Sequence, residues 1–345
     1  LADADTALTG GRVEPYQDWL EHPGVDDPWW APVKFDTDLS AAPPACFTAG
    51  WYDIFLRHQV ADFVALRAAG REATLAIGPW HPGSIGQAGL SMRSTLEWMD
   101  RYVAGRAPAD SGTHADAASR VKLLVMGARK WTEFGDWPPP ATERRWNLHA
   151  GGGLSVEAPA ESVPDRFRYD PADPTPGTGG ATLLALNAGR KDNKVRESRS
   201  DVLLYTSAPM TDDLTVAGPV RVDLHLRSSL DHTDVFVRLC DVDEKGRSFN
   251  LADGILRIGP EHPRTADGGL ELHIELSPTA NTFVAGHRIR LQVSSGAHPL
   301  YVRNLGTGEP LGKGTTMVAA DQEVFHDPAR PSALVLPVLA QPIRP

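Results

Sequence analysis

Two residues in the first third of the chain are of the types that acyl-transfer chemistry uses. Asp53 stands just past the short apolar run Ala45–Ala49, after Gly50, Trp51 and Tyr52. His81 stands just past a second apolar run, Thr74–Gly78, after Pro79 and Trp80. A carboxylate and an imidazole can share acid–base work: the acid orients the ring and stabilises its cation, while the ring moves the proton. Acid first and histidine second is the chain order of the last two members of a nucleophile–acid–histidine triad. The elements that position them read as strand, loop, helix, strand, loop. Phe55, Val60, Phe63, Val64, Leu66 and Ala68 recur at helical spacing, and Gly70 stands where a helix ends. Thr74–Gly78 is wholly apolar, as in a parallel strand buried on both faces. In a doubly wound sheet, ligands gather at the carboxyl ends of the strands. A plainer reading stands beside this one: Asp53 caps the helix that follows, and His81 is a loop histidine.

TAGWYDIF (Thr48–Phe55), then a helix, then IGPWHPG (Ile77–Gly83) resembles the cocaine esterase / X-Pro dipeptidyl-peptidase family of serine hydrolases. In that family the Asp of a GWYD-type motif is the triad acid, and the His of a GPW-x-H-type motif is the triad base. Asp53 matches directly. His81 follows Trp80 without the usual intervening residue, and Pro82 occupies the usual His position. The resemblance carries the base role to His81, since no other histidine is near. It also implies a substrate pocket walled by Phe55, Trp51 and Trp80, with Leu184 of the TLLALNAG stretch on the far side.

The 345 residues allow two domains, and 41% hydrophobic with 23% charged residues is ordinary for a soluble globular protein. The net charge of −10 argues against a nucleic-acid partner. No apolar run reaches membrane-span length and no signal peptide opens the chain, so a cytoplasmic protein is expected. Cys46 and Cys240 each sit in an apolar run and read as small buried hydrophobes, not as a disulfide. Without metal-ligand spacing or a glycine-rich phosphate loop, no metal or cofactor is expected.

Residues 1–40 resemble the end of a helical cap and its return segment, carried by WLEHPGVDDPWW. Trp19, Trp29 and Trp30 read there as packing anchors, Asp26 and Asp27 as turn residues, and His22 as structural. Residues 41–140 resemble the C-terminal half of an α/β-hydrolase domain. Within it PGSIGQAGL reads as a loop, and Ser91–Val103 as a helix with Met92, Leu96, Met99, Tyr102 and Val103 on one side. Ala107–Ser119 reads as an exposed loop, Arg120–Gly127 as a strand, and Lys130–Pro140 as a bridge ending in the stiff run Pro138–Pro140. Residues 141–345 change to short β-type runs, TLLALNAG among them. Val220, Val222, Leu224 and Leu226 alternate with Arg221, Asp223, His225 and Arg227, the period of a half-buried antiparallel strand. Many such runs predict a sandwich, and this half resembles the family's jelly-roll, galactose-binding-like domain.

A nucleophile elbow of G-x-S-x-G type is missing. Ser84 follows the histidine, and Ser294 and Ser295 lie in the β half. The resemblance therefore implies a C-terminal portion whose serine and oxyanion donors precede residue 1. The missing N-terminal hydrolase half becomes the expected partner, and the chain alone is expected to be inactive and poorly soluble. The expected activity is hydrolysis of a small-molecule ester or peptide, X-Pro dipeptides included; homo-oligomers occur in the family. The alternative is a β-sandwich binding module. A sugar site would need exposed aromatics, and the β half offers few, among them Trp146, Phe167, Tyr205, Phe236 and Tyr301.

Overall fold

The computed structural model describes residues 2–24, 26–33, 38–106, 120–184, 186–310 and 312–345. The loop expected at 107–119 lies outside the described residues. Two short helices, α1 (Ala4–Thr9) and α2 (Glu14–Glu21), open the chain. Then come β1 (Ala45–Gly50), α3 (Leu56–Ala68), β2 (Ala73–Gly78), α4 (Ile85–Tyr102), β3 (Val121–Val125) and β4 (Lys130–Phe134). β1, β2 and β3 are parallel neighbours in that order, and β4 closes the sheet antiparallel to β3. β2 is buried along its whole length, as its unbroken apolar run requires. α3 turns Leu56, Val60, Phe63 and Leu66 inward, while Val64 faces out.

Three expectations for this half are corrected. The helix after His81 starts at Ile85, not Ser91, because Ser84 is extended at its N-cap and Gly86 and Gly89 continue the helix. Its apolar series Met92, Leu96, Met99 and Val103 is exposed, together with Ile85 at 90%. The bridge after β3 contains a strand, β4, paired residue for residue with β3 from Val125–Lys130 to Val121–Phe134. Among the N-terminal tryptophans, Trp19 and Trp29 are exposed. Trp29 stacks on His22, whose Nδ1 lies 2.9 Å from Asp27 Oδ2, so this group holds its own turn together.

Trp80 has an unusual seat at the end of β2. A Cβ on Gly78 would lie 2.6 Å from its indole, one on Gly86 would lie 2.8 Å from its Nε1, and one on Gly50 would lie 2.3 Å from its carbonyl oxygen. Three glycines from β1, β2 and α4 thus make room for one aromatic residue.

The remaining strands are β5 (Ala141–His149), β6 (Gly153–Ser155), β7 (Asp165–Tyr169), β8 (Leu203–Thr206), β9 (Leu214–Ser228), β10 (Thr233–Val242), β11 (Ser248–Ile258), β12 (Leu270–Phe283), β13 (Arg288–Ser294), β14 (Ala320–Phe325) and β15 (Ala333–Leu339). They form one connected set, ordered β11-β10-β13-β8-β6-β5-β15-β9-β14-β7, with β12 also paired to β9. In β9 the Val220–Leu226 series is buried and Arg221–Arg227 half-buried, in step with the alternation. Three adjacent strands carry a proline: Pro219 in β9, Pro278 in β12 and Pro337 in β15. The β12–β9 register shifts between Leu276 and Thr279, and the β15–β9 register between Val335 and Val338. Proline has no N–H for the ladder, so the bulges fall where the prolines stand. TLLALNAG is not a strand. Gly180 and Gly189 exchange N–H···O bonds of 2.8 and 3.0 Å, which pinches the stretch into a loop.

Two arginines that carry no signature in the sequence are buried in this half. Arg238 of β10 closes on Asp253 through Nε at 2.6 Å and Nη2 at 2.8 Å. Its Nη1 donates to Asn193 Oδ1 at 2.7 Å and to the Thr178 carbonyl. Arg196 donates to Gln292 Oε1, Ser294 Oγ and the Gly296 and Pro176 carbonyls. Burial, then the neighbouring Arg238, pulls the Arg196 guanidinium down to about 9. Both stack on Phe236. Together they pin the 176–196 segment to β10, β11 and β13.

Removing Arg238 leaves Asp253, the Thr178 carbonyl and Asn193 Oδ1 without their donor, so Arg238→Ala is expected to cost about 3–5 kcal/mol in urea unfolding. In α4, Gly89→Ala meets open space and is expected to stabilise by about 0.5–1 kcal/mol. Gly86→Ala has the same helical gain but collides with Trp80 and is expected to destabilise. Opposite signs in the two melting-temperature shifts check the Trp80 seat.

Candidate active site

β1 and β2 run parallel and in register, Gly50 opposite Gly78, so both chains leave the sheet at the same edge. Their loops are then laced together. Trp51 N donates to Gly78 O at 2.8 Å, and Tyr52 N donates to Trp80 O at 2.9 Å. The next residue on each side is Asp53 and His81. Asp53 is buried, and its Oδ1 accepts from Phe55 N at 2.9 Å, the contact that starts α3. The His81 ring is half-buried, with Nδ1 at 3.0 Å from Pro82 O. A carbonyl can only accept, so Nδ1 carries the proton toward Pro82. In the neutral ring Nε2 then holds the lone pair, the atom that takes a proton from a nucleophile. No hydrogen bond joins Asp53 to His81; each side chain is held by backbone of its own loop.

The other expected site residues divide. Phe55 is 58% exposed at the mouth of α3, and Leu184 is 56% exposed on its loop. Trp80 is half-buried in its glycine seat. Trp51 is corrected: it is 2% exposed, and its indole Nε1 donates to Leu124 O at 2.8 Å. That bond turns the ring into the core beneath the loop, away from any open pocket. Ser84 is likewise committed locally, its Oγ accepting from His81 N at 3.1 Å and donating to His81 O at 2.8 Å.

Several contacts that shape this region had no signal in the sequence. Tyr52 crosses to the second sheet, its hydroxyl donating to Asn250 O at 3.0 Å. Burial holds that phenol well above its ordinary range. Arg57 reaches from α3 to Glu275 O at 2.8 Å and Asp253 O at 3.3 Å. Met126, just past β3, donates to Ala280 O at 2.9 Å and accepts from Thr282 N at 2.8 Å, which docks it on β12. Gly189 is the nearest part of the leucine loop: a Cβ there would lie 3.4 Å from His81 Cδ2. The loop itself is held by Asn250, whose Nδ2 donates to Gly189 O at 3.1 Å and whose Oδ1 accepts from Lys191 N at 2.8 Å. Reach between long-range neighbours, which no spacing in the chain reports, makes all these contacts.

Among the described residues there is no group of three or more His, Cys, Asp or Glu side chains arranged to hold a metal. Among them, too, no helix is long and apolar enough to cross a membrane. Both cysteines are free. The aromatics a sugar platform would need, Trp146, Phe167, Tyr205 and Phe236, lie in the core.

Comparison with known proteins places the chain. Residues 113–335 match the X-Pro dipeptidyl-peptidase C-terminal non-catalytic domain. Cocaine esterase of Rhodococcus sp. (strain MB1 Bresler) is 33% identical over 365 aligned positions, covering 95% of this chain and 62% of the esterase. Two solved structures share the fold. An alpha-amino acid ester hydrolase superposes with a TM-score of 0.81 at 24% identity, over 98% of this chain and 62% of that one. An aminopeptidase from a marine sediment Thaumarchaeota archaeon gives 0.82 at 23% identity, over 98% and 62%. The chain thus spans a little under two thirds of the length of these relatives. It belongs to the CocE/NonD hydrolase family, of which it represents the C-terminal portion with the X-Pro dipeptidyl-peptidase C-terminal domain.

Proposed function

We propose that this chain supplies the acid and the base of a serine hydrolase that cleaves ester or amide bonds. His81 moves the proton and Asp53 steadies the imidazolium, with the nucleophilic serine expected in sequence outside these 345 residues. The observation that carries the reading is the pair of bonds from Trp51 N to Gly78 O and from Tyr52 N to Trp80 O. They hold the two chemically apt residues at adjacent parallel strand ends, the place where such sheets put their chemistry. The tautomer is also suitable, since a proton on Nδ1 leaves Nε2 as base. For catalysis Nδ1–H would exchange the Pro82 carbonyl for the Asp53 carboxylate, and Asp53 would release or share its bond to Phe55 N. Membership in a family whose relatives are esterases supports the same chemistry.

In this reading residues 41–140 are the second half of an α/β-hydrolase domain and residues 141–345 a jelly roll, with 1–40 returning from a cap. The exposed Ile85, Met92, Leu96 and Met99 of α4, with Val103 at its C-cap, form one helical stripe, and β1 is one edge of the first sheet. An apolar helix face beside an open parallel edge is what a continuing sheet and its helices would cover. Phe55 and Leu184 wall the acyl pocket. The substrate is a small ester or a peptide.

Fluorophosphonate labelling followed by intact-mass and peptide mass spectrometry tests this reading. The expected adduct is on a serine outside the 345 residues, lost in His81→Ala and strongly reduced in Asp53→Asn. An adduct on Ser84 or any other serine of this chain overturns it. In the protein that carries the whole hydrolase, His81→Ala is expected to lower kcat about 10³–10⁴-fold with little change in melting temperature. The 345 residues alone are expected to hydrolyse p-nitrophenyl acetate no faster than buffer, and a clear excess rate would count against the assignment.

A further inference from the structure

A cavity of about 530 Å³ lies away from the Asp53–His81 region. It opens between the end of β11 and the segment that follows β13, with Pro23 of the N-terminal segment on one side. None of Asp53, His81, Phe55, Trp51, Trp80 or Leu184 lines it. Its size falls within the range of small-molecule sites, roughly 300–1,000 Å³. Most of its wall is apolar, supplied by Ile258, Pro299, Val302 and Met317 among others.

The polar groups of the wall are unequally committed. Glu309 and Asn304 are satisfied. Glu309 takes hydrogen bonds from Thr315 N, Thr316 N and the Thr307 and Thr316 hydroxyls. Those donors hold its carboxyl below the usual range, so it stays ionised yet satisfied. Asn304 Oδ1 accepts from Gly306 N, and Glu261 stands largely exposed at the rim. Arg257 is paired with Asp234 and also donates to Val302 O. The donor with most to spare is Arg303. Arg303 makes one hydrogen bond among the described residues, Nη1 to Pro171 O at 3.0 Å. His232 and His298 make no side-chain hydrogen bond there. His232 is nonetheless held closely: a Cβ on Gly308 would come within 2.3 Å of its Nε2, and Gly308 has a φ of +71°. The loop that presents these groups is tied down by the N-terminal segment, through Lys313 to Glu21 at 2.8 Å and Ala2 N to Gly312 O at 2.9 Å.

An apolar cavity lined by an arginine with most of its donors unused suits a ligand that brings acceptors on an apolar body. We propose that it binds a small monocarboxylate with an aromatic or aliphatic tail, its carboxylate taken by Arg303. Neither residue of the Asp53–His81 pair takes part.

Isothermal titration of the purified protein with 4-phenylbutyrate, and with 4-phenylbutanol as the neutral match, tests the site. The acid is expected to bind with one-to-one stoichiometry and the alcohol at least about tenfold more weakly. Arg303→Gln should weaken the acid about ten- to hundredfold, the range for a lost charge-assisted hydrogen bond. Met317→Trp fills the cavity without touching Arg303 and should also weaken it, so the test survives if Arg303→Gln unfolds. His81→Ala should leave the affinity unchanged. Equal affinity for acid and alcohol, indifference to Met317→Trp, loss of binding in His81→Ala, or no heat up to about 5 mM ligand would each overturn the proposal.

Discussion

Arg238 lies inside the second sheet with its guanidinium closed on Asp253, and a charge pair so placed is tolerable only if every remaining donor finds an acceptor. Two of those acceptors, the Thr178 carbonyl and Asn193 Oδ1, belong to the long connection ahead of β8. Arg196 answers from within that connection, inserting its own guanidinium among Gln292, Ser294 and Gly296. The connection is therefore held from both sides by charge that cannot be left unsatisfied. Its outer part, from Gly180 to Gly189, can then keep three leucines out in solvent and still rest against His81. Apolar burial alone would have drawn those leucines in.

The first sheet and the β half meet through few but directional bonds. Tyr52 to Asn250, Arg57 to Glu275 and Asp253, and Met126 to Ala280 and Thr282 all cross between them. Asp253 takes part on both sides, since its side chain holds Arg238 and its carbonyl accepts from Arg57. Asn250 does the same, joining Tyr52 to Gly189 and Lys191. One stretch of β11 thus sets the height of the leucine loop over the ends of β1 and β2.

Much of this was legible in the chain because it rests on local pattern. The apolar run Thr74–Gly78 and the alternation of β9 each depend on near neighbours, and each forms as read; in α3 Val60, Phe63 and Leu66 turn inward as read, while Phe55 and Val64 stay exposed and Leu56 takes an inward place. GWYD and GPW mark the ends of β1 and β2 for the same reason. What the pattern hid was set by distant partners. Trp51 looked like a pocket residue until Leu124 claimed its indole. The apolar leucines of 183–186 looked like a strand until the Gly180–Gly189 bridge closed them into a loop. The start of α4 was obscured by Gly86 and Gly89, and the first of these is glycine for a tertiary reason, the space taken by Trp80. Buried Arg196 and Arg238 gave no sign at all, since a charged residue reads as an outward position, on the strand of Arg238 as on the helical turn of Arg196, until its partners are known.

The line of prolines across β12, β9 and β15 has a consequence for how the β half finds its pairing. A strand ladder can slide by two residues and still keep its inward face inward, so alternation alone does not forbid the wrong alignment. Here the gaps in the ladder at Leu276–Thr279 and Val335–Val338 match each other only around Gly218 and Pro219. Gly218, at φ +141°, leaves space for Pro337 at a point where a Cβ would come within 3.2 Å of its ring. Slide any one of the three strands by two residues, and a proline faces a carbonyl that needs a donor while a bulge faces an unbroken partner. The three imino acids thus act like the teeth of a key, making mispaired alignments costly while the native one carries almost no penalty.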